Sequence, residues 1–217
     1  MPKNGMHGAA ERGQFALVSY IPEPLSSFFN RLRRGLPGDG NPQAHVTILP
    51  PRPLRAPVER ASEQAQKILA SFPAFEIELS TVQRFPETNF LYLDIAHGNS
   101  RVHDLHDALN DGELAFAEEF EFRPHLTLGG PIPEKELASL QGQTEAAWLS
   151  AEHARRFVVD EVVFLWLNPA EEDGEWRRVW SYNLRTHLLR THIPQSASSQ
   201  SQGLARTQAA SVTNRTS

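Results

Sequence analysis

The chain has 217 residues, a formal net charge of −5 and no cysteine. The lack of cysteine excludes disulfides, thiol catalysis and cysteine metal sites, and the negative charge disfavours a protein that coats long nucleic acid. No stretch is long and apolar enough to cross a membrane, and residues 1–13 lack the apolar core of a signal peptide, so we expect a cytoplasmic protein.

The first half of the chain predicts a strand, a helix, a short strand, a second helix and a hairpin. Period-2 and period-3.6 patterns of apolar residues define these elements, and proline and glycine mark their ends. The predicted elements are a disordered N-terminus at 1–13, a strand at 15–20, a helix between Pro24 and Gly35, a strand at 45–48 that Pro50 and Pro51 end, a helix at 57–71, and hairpin strands at 75–79 and 90–95.

The second half repeats this order of elements and ends in a polar tail. The tail is rich in Ser, Gln, Ala and Thr, a composition that cannot form a core, so we expect it to be disordered. The predicted elements are a helix capped by Ser100, a strand at 125–128, a helix from Pro133, a continuous strand at 157–167, a turn at 168–174, a strand at 176–184, and the tail at 188–217.

A His-x-Thr tetrad occurs in both halves, as His45-Val46-Thr47-Ile48 and as His125-Leu126-Thr127-Leu128. In a strand, residues two apart share a face. One face of each strand is therefore aliphatic and should pack into a core, while the other presents an imidazole and a hydroxyl. One such strand is a common half-buried surface, but two side by side would bring two imidazoles and two hydroxyls to one groove.

The repeat of elements predicts an α+β protein of two similar lobes. We expect a bilobal, duplicated arrangement in which two mainly antiparallel sheets flank a central cleft, with the helices on the outside. Residues 14–187 would form this domain. A monomer is expected, with no membrane association.

Two histidines that face one groove can serve as a general acid and a general base near neutral pH. Threonine hydroxyls can donate hydrogen bonds to phosphoryl oxygens without adding charge. This set suits attack on a phosphodiester, in which one histidine takes a proton from the nucleophile and the other protonates the leaving oxygen. A cyclic 2′,3′-phosphate is a natural substrate, because its ring strain lowers the demand for a metal.

The paired tetrads resemble those of the two-histidine (2H) phosphoesterase superfamily, which includes bacterial 2′-5′ RNA ligase and cyclic phosphodiesterase proteins. The resemblance covers about residues 15–184. It implies metal-independent, cofactor-free chemistry on cyclic phosphate or 2′-5′ phosphodiester ends of nucleotides or RNA. Carried onto matching positions, it implies that His45 donates a proton, that His125 accepts one, and that Thr47 and Thr127 hold the phosphate. Some members also run the reverse, ligating reaction.

Further side chains are candidates to contact a nucleotide, each with an ordinary structural alternative. Arginines can steer phosphate or form a solvated surface, and strand aromatics can stack on a base or pack in a core. The candidates are the arginines Arg52, Arg84 and Arg123 and the aromatics Tyr92, Trp166 and Tyr182. The segment 129–133, where RNA-ligating members often carry a basic residue, has no charge here.

Two other functions are compatible with the sequence. The His-Asp dipeptides at 103–104 and 106–107 place His103 and His106 on one side of a helix. Together with Asp104 and Asp107, these histidines could bind the metal of a metal-dependent phosphohydrolase. The alternative is an ordinary solvated helix face. The second alternative is a module that binds nucleotides or RNA ends without turnover. Assays on cyclic nucleotides with and without EDTA would separate these alternatives from the histidine pair.

Overall fold

The computed structural model describes residues 13–38, 43–167 and 175–192, in which nine strands and four helices alternate. Predictions for residues 1–12, 168–174 and 193–217 lie outside this part of the chain. The elements are β1 Gln14–Tyr20, α1 Leu25–Arg34, β2 His45–Pro53, α2 Val58–Leu69, β3 Phe75–Arg84, β4 Leu91–His97, α3 Asn99–Leu109, β5 His125–Gly129, α4 Glu134–Leu149, β6 Arg156–Val159, β7 Glu161–Leu167, β8 Trp176–Asn183 and β9 Leu189–Thr191.

All nine described strands belong to one sheet, in the order β6-β3-β4-β5-β2-β1-β7-β8-β9. The α+β class is confirmed, but the two separate sheets that we expected are not. The boundary between β5 and β2 separates four of the described strands from the other five, with β4 and β1 as the next strands outward. A single registered residue pair, Val46 with Leu126, joins the two halves at this boundary. The duplication is therefore present within one sheet that has a narrow central joint.

The sheet curls, and the reason lies in the apolar run 157–167. We predicted one strand there, which is wrong, because the run divides at Asp160 into β6 and β7. Strand β6 pairs with β3 in one half, and β7 pairs with β1 in the other. One residue links these two strands although six positions separate them in the strand order. The halves must therefore bend toward each other until the strands meet at Asp160.

Two strand boundaries differ from the prediction. Strand β2 continues through Pro50 and Pro51 to Pro53, because its register with β1 shifts between Leu49 and Arg52. Such an irregularity accommodates residues that have no N–H to donate. The predicted disordered tail, placed at 188–217, also begins too early, because residues 189–191 form β9, which pairs with β8.

The helices bury apolar stripes against the sheet, as their spacing predicts. In α1, for example, Leu25 and Phe29 are almost fully buried, and Phe29 lies 5.2 Å from the Trp148 ring of α4. Helix α3 begins at Asn99 after Gly98, so the predicted Ser100 cap is wrong. Gly98 has a φ of 78°, and a Cβ there would lie 2.3 Å from the Glu76 carbonyl oxygen. No described helix is both long and apolar enough to cross a membrane.

The segment after α1 packs on the segment after β5, next to the central joint. The Gly130 N–H donates to the Pro37 carbonyl oxygen at 2.7 Å. A Cβ on Gly129 would lie 2.7 Å from the Leu36 Cβ and 2.8 Å from the Pro37 oxygen. Glycine is therefore required at this position, because the two backbones approach too closely for a side chain.

Candidate functional site

The two tetrad strands are neighbours in the sheet and run antiparallel. Val46 and Leu126, which pair across the joint, are buried, and so are the second aliphatic residues of both tetrads. The histidine and threonine of each tetrad lie on the other face and are half-buried. The period-2 pattern therefore places two imidazoles and two hydroxyls on one face of the sheet, across the central joint from each other.

Both imidazoles are held by the same local contact. Nδ1 of His45 lies 3.0 Å from the Gln43 carbonyl oxygen, and Nδ1 of His125 lies 2.7 Å from the Arg123 carbonyl oxygen. A carbonyl can only accept, so each Nδ1 carries a proton. The neutral rings consequently have an unprotonated Nε2, which is the atom able to exchange a proton with a substrate. The duplication thus extends to the tautomer of the two histidines.

Aromatic rings and a carboxylate surround His125. Its Nε2 lies 3.0 Å from Thr127 Oγ1, whose hydroxyl can donate to the neutral ring. The rings of Phe85 and Tyr92 stack at 4.1 Å and meet the imidazole edge-on at 5.0 and 5.4 Å. Asp94 is the residue directly opposite His125 on β4. The ring is thereby fixed in position while a negative charge stands next to it.

A tyrosine and an arginine lie next to His45. Tyr20 is its direct partner on β1, and the two rings meet edge-on at 6.1 Å. The guanidinium of Arg178 lies over the Tyr20 ring, 4.3 Å from its centre, and donates to Gln43 Oε1 at 2.7 Å. The carbonyl of Gln43 fixes His45, so one residue contacts both the imidazole and the arginine.

The pKa of each histidine lies below its ordinary value, mainly because burial disfavours the charged ring. The hydrogen bond to Gln43 raises the pKa of His45, whereas the charges of Arg33 and His125 lower it. For His125, the bond to the Arg123 carbonyl raises the pKa, the Arg123 charge lowers it, and Asp94 raises it. The charge of His125 thus lowers the pKa of His45, and both imidazoles favour the neutral form.

An open cleft of about 1010 Å³ lies next to His125 and is lined by residues of β2 and of the segment before β5. Thr47 and His125 line it, whereas His45 and Thr127 are not among its lining residues. Further lining residues are the aromatics Phe85, Phe116, Phe120 and Phe122 and the acidic residues Glu87, Asp94, Glu118, Glu119 and Glu121. This half of the groove is thus aromatic and acidic.

A buried ion pair anchors the loop that leads to His125. Arg52 is 1% exposed and pairs with Glu118, and its Nη1 donates to Asn110 Oδ1 at 2.7 Å. The Glu118 carboxylate also lies 3.0 Å from Nε2 of His106. Phe122, from the same loop, stacks on the His106 ring at 3.8 Å. The contacts of Arg52 are therefore those of a structural residue, although its side chain reaches the cleft wall.

The remaining nucleotide candidates fall into different places. Arg123 lies in the cleft and donates to the Tyr92 hydroxyl at 2.8 Å. Arg84 lies 3.9 Å from Glu134 and does not line the cleft. Tyr182 is buried and its hydroxyl contacts His187, so this aromatic packs in the core and does not stack on a base. Trp166 is half-buried at the edge of the core. Only Arg123 and Tyr92 are brought to the histidines.

The residues of the metal alternative do not converge. Asp104 pairs with Arg101, and His106 is occupied by Glu118 and Asp107. His103 faces the cleft and meets the Phe122 ring edge-on. Within residues 13–38, 43–167 and 175–192, no group of three or more His, Asp or Glu side chains is placed to share a metal ion. The geometry therefore does not favour the metal-dependent hypothesis.

Sequence reasoning missed Tyr20, Phe85, Asp94 and Arg178. Asp94 had a signal, since it is one carboxylate inside an otherwise apolar strand. Arg178 had none, because it reaches His45 through a strand from the far end of the chain.

Comparison with known proteins gives the context for this geometry. A family model described as the 2′-5′ RNA ligase superfamily matches residues 21–171. A protein from Geobacillus kaustophilus (strain HTA426) named "Putative phosphoesterase" is 29% identical over 139 residues, which is 60% of this chain and 76% of the relative. A protein of the same name from Geobacillus thermodenitrificans is 26% identical over 141 residues, or 61% of this chain and 78% of the relative.

Solved structures share the fold at low sequence identity. The structure of E. coli LigT complexed with 3′-AMP has a TM-score of 0.54 and 12% identity, and covers 80% of this chain and 98% of its own. The structure of TT0787 from Thermus thermophilus has a TM-score of 0.54 and 14% identity, and covers 79% and 98%. The overall fold of this chain therefore occurs in other solved proteins.

Proposed function

The chain belongs to the 2′-5′ RNA ligase superfamily, and on that basis we propose that it is a metal-independent phosphodiesterase for 2′,3′-cyclic phosphate or 2′-5′ phosphodiester ends of nucleotides or RNA. The observation that carries this proposal is the matched pair of imidazoles. Both are fixed through Nδ1 and both have Nε2 as the nitrogen free to exchange a proton, and the charge of His125 lowers the pKa of His45.

Each histidine has one role in the proposed hydrolysis. His125 Nε2 takes a proton from water, whose oxygen attacks the phosphorus and forms the new P–O bond. The bond from phosphorus to one ribose oxygen breaks, and protonated His45 gives its Nε2 proton to that oxygen. The hydroxyls of Thr47 and Thr127 donate to the non-bridging phosphoryl oxygens. After one turnover His125 is protonated and His45 is neutral. Both must exchange a proton with water before the next turnover.

Support from relatives concerns the ligand class. Two curated relatives are named as phosphoesterases, and LigT is seen complexed with 3′-AMP. In this chain, Arg123 beside His125 offers a cation to the phosphate, and Phe85, which lines the cleft and stacks on the buried Tyr92 ring, offers an aromatic wall. A nucleotide phosphodiester would use both features.

The test is turnover of 2′,3′-cyclic nucleotides in the presence of EDTA. His45→Ala and His125→Ala should each lower the rate by about 10²–10⁴-fold, the usual worth of one general acid or base. The double variant should be little worse than either single variant, because the two groups act in one relay. His97→Ala is the matched control, since His97 is an exposed histidine at the end of β4.

Other outcomes would assign other functions. Turnover that requires added metal and falls in His103→Ala would support a metal-dependent hydrolase. Binding of a cyclic nucleotide without turnover by the wild-type protein would support a binding module. Near-normal turnover in either His45→Ala or His125→Ala would contradict the proposed relay.

A further inference from the structure

The groove around the histidines has opposite charge on its two sides. Five carboxylates and two arginines, Arg52 and Arg123, line the cleft next to His125 and leave it net negative; three of the carboxylates, Glu87, Glu119 and Glu121, are exposed. On the His45 side stands the exposed guanidinium of Arg178. A substrate with a second phosphate is repelled on the first side and attracted on the second, so the charges define a direction for an extended anion.

Arg178 lies on the same face of the sheet as the histidines. Tyr20, on which it stacks, is the register partner of His45. The neighbouring residue Arg177 pairs with Trp166, and it lies on the opposite face because successive strand residues alternate. One strand therefore offers two adjacent exposed arginines, of which only Arg178 stands beside the site.

The guanidinium is also held in place. The Tyr20 ring supports it from below at 4.3 Å, and Gln43 accepts one of its hydrogen bonds at 2.7 Å. Arginine has five N–H donors in a planar fork, which suits a phosphate that approaches from the groove. Because the ring and the amide fix the fork before a ligand arrives, little side-chain entropy remains to be lost on binding.

We propose that Arg178, stacked on Tyr20, binds the phosphate one nucleotide to the 5′ side of the phosphodiester that the histidines cleave. The protein then prefers an RNA end of two or more nucleotides over a mononucleotide, and the RNA chain leaves the site over β1 and β8. The acidic side of the groove receives only the uncharged nucleoside part. This inference rests on the proposed function and deepens it, because it names the part of the substrate that the tetrads do not contact.

The test compares two substrates that differ by one nucleotide, and therefore by one phosphate and one nucleoside. These are cytidine 2′,3′-cyclic phosphate and a dinucleotide that ends in the same cyclic phosphate. We expect the wild-type protein to favour the dinucleotide in kcat/KM by about tenfold, the scale of one charge-assisted hydrogen bond. Arg178→Gln should abolish most of this preference, whereas Arg177→Gln should retain it. Thermal unfolding of each variant checks that the fold is unchanged.

Salt dependence gives a second measurement. One phosphate contact on a single strand contributes about 0.7 to the slope of log affinity against log salt. Arg178→Gln should reduce the slope for the dinucleotide by about that amount, and Arg177→Gln should leave it as in the wild type. An equal loss of kcat/KM on both substrates in Arg178→Gln would place this residue on the scissile phosphate and overturn the proposal. An unchanged preference would also overturn it.

Failure of the proposed function would be seen separately, as absence of wild-type turnover on both substrates. Binding then decides, with a 3′-phosphorylated dinucleotide and cytidine 3′-monophosphate as the probes. Tighter binding of the dinucleotide that is lost in Arg178→Gln supports the second phosphate site. Equal affinity of wild type for the two probes contradicts it.

Discussion

Replacement of Glu118 by glutamine tests how the loop before His125 is anchored. Arg52 is 1% exposed, and Glu118 is the carboxylate that balances its charge. Glutamine keeps the shape but leaves the guanidinium with neutral acceptors, namely the Pro50 carbonyl and Asn110. Breaking a buried pair from one side costs about 3–5 kcal/mol. We expect a loss of about 3 kcal/mol, the lower end of that range, because the neutral acceptors remain.

Urea unfolding followed by tryptophan fluorescence measures this loss as a free energy of unfolding. For a domain of this size, the loss corresponds to a fall in Tm of about 6–12 °C. The control is Glu119→Gln, an exposed neighbour in the same loop, which should change the stability by less than about 0.5 kcal/mol. Adding Arg52→Met to Glu118→Gln should recover part of the loss. A loss under about 1 kcal/mol, or strict additivity of the two changes, would refute the reasoning.

Three further predictions concern the histidines and the core. The kcat/KM profile against pH should be bell-shaped with both limbs below about 6.5, because burial lowers the pKa of both histidines; a limb near pH 8 would contradict this. Asp94→Asn removes a carboxylate that raises the pKa of His125, so one limb of the bell should move to lower pH; two unmoved limbs would contradict this. Trp148→Phe removes the donor to the Ser80 carbonyl and should lower the free energy of unfolding in urea by about 1–3 kcal/mol. The control, Ser139→Ala on the exposed side of α4, should cause no measurable loss.

The sequence predicted the site strands well because period-2 polarity is a local property. His45 and His125 could be placed on the polar faces of two strands without knowledge of the fold, and the duplication predicted that the strands would be similar. Helices α1, α2 and α4 followed from their apolar spacing for the same reason. In each case the pattern that defines the element also defines its buried face.

Long-range pairing could not be read in this way. The run 157–167 is apolar except for Asp160 and Glu161, and the partners of its two parts show that it divides at Asp160. Pro50 and Pro51 predict the end of a strand, but the register shift against β1 allows β2 to continue. Arg178 approaches His45 across strand pairs through Tyr20 and Gln43, and such a contact has no sequence signal of its own.

The narrow joint has a mechanical consequence for the site. The two histidines sit on opposite sides of a boundary that only the Val46–Leu126 pair spans in the sheet, so a small twist of one half against the other changes their separation. The close backbone packing of Gly129 and Gly130 on Pro37 acts as a brace against that twist. A displacement of about 1 Å between reacting groups can cost a hundredfold in rate. Mutations at this brace, which holds none of the groups that transfer protons, should therefore change the distance between the acid and the base.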